Sequence, residues 1–218
     1  YYANRANILN ILRPNRQAVD TFSLGHLLKT LPDGSKRQID VIIESGPEFR
    51  AREPGKWDEW SVHESLKFIA PDPTFYDPTQ ILNHVHHGPA AGDHTLFHAW
   101  DITYNGTWLS YPTIVLVGPI QDPEITNITT GEVISLTYHI AALETVTMDL
   151  LFGYKTITNQ LGVNLMAYAS STSDVATFHL AAAPEAALGL NHFHLTSSGG
   201  ETNDSSRSIN YFTRYIGV

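Results

Sequence analysis

Hydrophobic and polar residues alternate along much of the second half of this chain, with the period of two that puts one strand face in a core and the other in solvent. Over 132–140, Ile134, Leu136, Tyr138 and Ile140 oppose Val133, Ser135, Thr137 and His139. Over 145–150, Val146, Met148 and Leu150 oppose Thr145, Thr147 and Asp149. Further strands fit 154–158, 163–168, 175–180, 190–196 and 208–216, and Tyr111 to Pro119 holds a short apolar strand between prolines. Glycines at 131, 153, 162, 189 and 199–200 separate most of them, the punctuation of an antiparallel sandwich.

The first part reads differently. Residues 3–12 place apolar groups, Ile8 and Leu12 among them, on a helical stripe that stops before Pro14. Strands follow at 19–31 and 36–44 about the turn Leu31-Pro32-Asp33-Gly34-Ser35, the second with Ile39, Val41 and Ile43 alternating with Gln38, Asp40 and Ile42. A polar loop covers 47–58, and Trp60, Val62, Leu66 and Phe68 mark a third strand. Pro71, Pro73 and Pro78 remove amide donors and fix φ, which bars a central strand or helix and marks a rigid exit segment. The pattern predicts an all-β protein with one short N-terminal helix. Its expected parts are a first domain over 1–78, a His-rich connection over 79–111, and a β-sandwich over 112–218 whose first buried strand lies at 113–117.

Charge sharpens the division. Residues 1–78 carry ten Lys and Arg against eleven Asp and Glu; residues 79–218 carry three against eleven. An acidic C-terminal part is a poor surface for non-specific nucleic-acid binding. The chain has no cysteine, which removes disulfides, thiolate metal sites and cysteine nucleophiles. No apolar run approaches the roughly 20 residues that span a bilayer, so no membrane partner is expected. The chain begins Tyr1-Tyr2 and not with methionine, as a fragment or processed product would.

Candidate chemistry is sparse. His84, His86, His87, His94 and His98 supply enough imidazoles for zinc or nickel, without regular ligand spacing or a patterned carboxylate; the alternative is a solvated or subunit-bridging loop. His192 and His194 share a strand face around Phe193, as a packed pair would. Glu124, Glu132, Asp149 and Asp174 fall where turns and solvated strand faces expect carboxylates, and no hydrolase, zincin or phosphate-loop motif occurs. Neither catalysis nor a cofactor is expected. Tyr104, Trp108 and Tyr111 lie close enough in sequence to stack on sugar rings, and a carbohydrate-binding sandwich, free-standing or attached to a polysaccharide-active enzyme, is the alternative reading. Sequons at Asn105, Asn127 and Asn203 bear only on a eukaryotic secreted protein.

The helix with Asn4-Arg5 and Ile11-Leu12-Arg13-Pro14 leads into the hairpin and then Phe68-x-Ala70-x-Asp72-Pro73-x-x-Tyr76. Gly106-Thr107-x-x-x-Tyr111-Pro112-x-Ile114, Gly118-Pro119, Pro123-x-Ile125-x-Asn127 and Thr129-Thr130-Gly131 follow. This order resembles the distal tail protein family of long-tailed bacteriophages over nearly the whole chain. The resemblance implies a structural virion protein at the distal end of the tail, with a ring-forming belt domain and a galectin-like sandwich facing outward. The family's first belt strands have no counterpart here before the helix. Implied partners are further copies in a homohexameric ring, the tail tube protein, the tail-tip hub and receptor-binding or side-fibre proteins, with DNA passing through the ring without specific binding. Ile8, Leu12, Ile39 and Val41, on apolar faces too extensive for so small a domain to bury alone, are the expected ring contacts.

Overall fold

The computed structural model describes residues 25–45, 67–86, 98–202 and 205–217. Among them the chain is nearly all β, with sixteen strands, two 3-10 turns and antiparallel sheets. It divides into two compact units, Tyr1–Pro73 and Thr74–Val218. The expected helix with Ile8 and Leu12, and Trp60 to Leu66, lie outside the described residues.

In the first unit, β1 (Gly25–Thr30) and β2 (Lys36–Ser45) form a hairpin in register from Gly25 opposite Val41 to Thr30 opposite Lys36. Gly34 takes φ +85°, and the Asp33 carboxylate accepts from the Ser35 amide at 2.9 Å, so Pro32-Asp33-Gly34 turns as its composition demands. The far end of β2 pairs with β3 (Lys67–Ile69) across an irregularity between Ile43 and Ser45. Every residue of β1 is exposed.

The second unit opens with β4 (Phe75–Tyr76), which pairs with β16 (Arg214–Tyr215), so the proline-rich exit segment holds a two-residue strand. Two sheets follow. One runs β10 (Glu132–Ser135), β9 (Glu124–Asn127), β14 (Leu190–Thr196), β6 (His98–Thr103). The other runs β13 (Thr156–Asn159), β12 (Thr145–Asp149), β7 (Thr113–Val117), β15 (Ser206–Tyr211), β5 (Ile81–His86). A small ladder joins β8 (Ile120–Gln121) to β11 (His139–Ile140). Ile102, Ile125, Ile134, Phe193 and Leu195 of the first sheet meet Ile114, Leu116, Val146, Met148, Ile157 and Ile209 of the second in one buried core. The alternation predicted at 145–150 is realised with Val146, Met148 and Leu150 inward, and the strand expected at 190–196 is β14.

Several expectations give way; the strand expected over 208–216, for one, is two, β15 and β16. The predicted connection over 79–111 supplies the edge strands β5 and β6, one to each sheet, so the sandwich does not begin at 112. An edge strand has a neighbour on one side only; Ile81 and Leu82 stay exposed, and the interrupting histidines break the apolar pattern of the strand. The long strand over 132–140 is two strands: the Leu136 amide still bonds in register to the Pro123 carbonyl, but the Thr137 amide turns to the Tyr168 carbonyl, which carries the chain out of that ladder before it joins β8. Residues 163–168 and 175–180 are not strands. Asn164 Oδ1 accepts from the Met166 amide, and the Asp174 carbonyl accepts from both the Thr177 and Phe178 amides, so short side chains and tight turns take the bonds a ladder would have used.

Candidate functional site

The three aromatics proposed as a sugar platform do not form one. Tyr104 continues β6 into the core at 1% exposure; its hydroxyl donates to the Trp108 carbonyl at 2.6 Å and accepts the Arg214 amide at 2.9 Å. Burial pushes this phenol well above its ordinary range, and it acts as a pin. Tyr111 is half-buried, with Lys155 Nζ 3.6 Å over its ring. Trp108 alone is exposed, at 43%.

The histidines are scattered. His84 and His86 stand two apart on β5, at the edge of one sheet, and His98 begins β6, at the edge of the other. His87 and His94 lie outside the described residues. Among the described residues no three His, Asp or Glu side chains are grouped as a metal site. His192 and His194 do share the outer face of β14; His192 Nδ1 lies 2.6 Å from Asp101 Oδ1 of the cross-strand partner.

Two of the four carboxylates read as solvated are structural. Asp174 Oδ2 accepts the Val133 amide at 2.9 Å, closing the open edge of β10, and Glu132 Oε2 lies 3.0 Å from His179 Nδ1. His179 was not singled out by sequence, because a histidine in a turn-rich segment carries no periodic signal. Burial by itself would lower its pKa. Hydrogen bonds to Glu132 and the Thr177 carbonyl, with the charges of Glu132 and Glu185, outweigh that and raise it to about 9. Burial likewise opposes ionisation of Glu132, but His179 holds its pKa below the usual value.

This pair makes stability depend on pH in a defined window. The raised imidazole stabilises the fold fully below its unfolded value of 6.5 and loses that contribution as pH climbs through about 9. The depressed carboxylate stabilises above its unfolded value of 4.5 and fades as pH falls through its lowered pKa. His179→Gln should therefore lower Tm most between those two values and least above pH 9.5. A Tm difference that does not change from pH 5.5 to 9.5 would remove the ion pair from this account.

The cations of the second unit decide its surface. Residues 74–218 contain three Lys and Arg against twelve Asp and Glu, and none of the three cations is exposed. Lys155 donates to the Leu150 carbonyl at 2.7 Å, and burial lowers its pKa to about 8. Arg214, 7% exposed, bonds Thr74 Oγ1 through Nε at 3.1 Å and through Nη2. Arg207, 3% exposed, has its guanidinium carbon 3.8 Å over the Trp100 ring. Beyond the half-buried Lys155, the charged groups this unit shows to solvent are therefore carboxylates and, when protonated, histidines. The first unit carries ten Lys and Arg against ten Asp and Glu.

Of the expected ring contacts, Ile39 is half-buried, and Val41, at 4% exposure, is already covered within one chain and has no surface to offer a second. Among the described residues, the large apolar side chains of this unit that stand exposed are Leu27, Leu28 and Ile69. The chain matches no protein-family model and no curated protein sequence.

Proposed function

We propose that this chain is a structural component of a bacteriophage tail tip, built as a ring-forming belt unit followed by a galectin-like sandwich and acting without catalysis. The observation that carries the reading is β1. It stands at the end of its sheet order, pairs with β2 alone among the described residues, and exposes both Leu27 (41%) and Leu28 (52%). Consecutive residues point to opposite strand faces, so both faces of an edge strand carry exposed leucine. Such a strand invites pairing along its outer edge. Neighbouring copies joined head to tail around a closed ring would supply that pairing six times over.

The charge division supports the same reading. A neutral belt can pack against itself without repulsion, while a sandwich with no exposed Lys or Arg would be steered toward basic faces of hub or receptor-binding proteins and away from the DNA passing through the ring. The test is the mass of the protein in solution together with its image. Six chains and a ring with a central hole are the expected result. A single chain at all concentrations up to those of virion assembly would overturn it.

A further inference from the structure

We infer that Arg207 is the anchor of a binding site for a small carboxylate at one end of the sandwich. Arg207 lies on β15 opposite Leu116 of β7, a residue of the core, and its side chain runs inward between the sheets to Trp100 of β6. It is 97% removed from solvent, yet Nε, Nη1 and Nη2 are all buried without a hydrogen-bond partner. Arginine keeps its proton at any ordinary pH, and a buried guanidinium left without acceptors is among the costliest arrangements a core can hold.

The shape of the unmet demand selects the ligand. At 3.8 Å from the ring centroid, one face of the guanidinium is taken by Trp100, itself stacked on Phe193 with ring centroids 5.3 Å apart. The N–H donors lie in the guanidinium plane, where paired donors match a planar two-oxygen acceptor better than a spherical halide. Trp100 is only partly buried, so the stack meets solvent on one side. The charge of Glu201 also acts on Arg207 and limits how much further negative charge the site accepts, which favours a monoanion over a dianion.

The experiment titrates the whole protein with sodium acetate, sodium sulfate and sodium chloride at matched ionic strength and follows Tm. A ligand that binds only the native state raises Tm saturably. Acetate is expected to raise it by a few degrees, sulfate and chloride by less, and Arg207→Met is expected to abolish the difference while folding as well as the parent. Should that variant not fold, the Arg207 Nε–H resonance of the parent protein provides the second readout and is expected to move saturably with acetate alone. Equal shifts with all three salts, an acetate effect that survives in Arg207→Met, or a stationary Nε–H resonance would overturn the site.

Discussion

Replacing Asn191 with leucine is expected to lower the unfolding midpoint by roughly 10 °C, far more than the loss of one small side chain would suggest. Asn191 is fully buried on β14, and its amide is saturated: Oδ1 accepts the Ala181 amide at 2.8 Å and Asn127 Nδ2 at 3.3 Å, while Nδ2 donates to the carbonyls of Ala181 at 2.9 Å and Gly189 at 3.0 Å. Asn127, also fully buried, holds the His179 carbonyl at 2.8 Å, so the two amides tie the 179–181 segment to β9 and β14. Leucine fills the volume but leaves four buried partners without one of their bonds. At about 1–3 kcal/mol for each group stranded, partly offset by relaxation, the loss is on the order of 4 kcal/mol. A domain of this size loses about 2–4 °C per kcal/mol. Thr126→Ala, on the outer face of β9, is the control and should stay within about 0.5 kcal/mol of the parent. A fall of less than 3 °C for Asn191→Leu would mean that the amide network is not what holds the segment.

The second large effect is on assembly. Leu28→Asp places a charge on an exposed position of β1, where it costs a single chain little. In a ring that buries β1 against a neighbour, the same carboxylate would be stripped of water at every interface, and repeated contacts multiply the penalty. Rings are expected to give way to single chains of unchanged Tm. Leu82→Asp, 69% exposed on β5 of the second unit, makes the matching change away from the proposed interface and should leave rings intact. Rings persisting in Leu28→Asp, or disappearing equally in both variants, would count against β1 as the ring contact.

Tyr104 shows how far a close run of aromatics can mislead. Its spacing from Trp108 and Tyr111 suggested a platform, but a four-residue interval in an irregular segment says nothing about direction. The Arg214 amide, 110 positions away, determines where the phenol points. The structural roles of Glu132 and Asp174 escape the sequence for a related reason: their partners, His179 and the Val133 amide, are 47 and 41 positions away. Arg207 carried one usable signal, since a unit with three cations in 145 residues makes each worth locating. That it lies inside the sandwich could not be read from Ser206-Arg207-Ser208, where nothing marks the arginine as inward.

The sequence by itself determined the β class, the strictly alternating strand at 145–149 and the strand at 190–196, the turn at Pro32-Asp33-Gly34, and the confinement of nearly all basic residues to the first part of the chain. These follow from side-chain period, backbone sterics and composition, which act within a few residues. Only the tertiary structure decided that β5 and β6 close the two sheets, that β14 lies between β9 and β6, and that both arginines of the sandwich are buried while its one lysine is half-buried. Strand order depends on pairings between segments as far apart as Ile81–His86 and Ser206–Tyr211. Such pairings are chosen by the packing of the whole core, to which an edge strand with half its surface in water contributes too little pattern to be recognised alone.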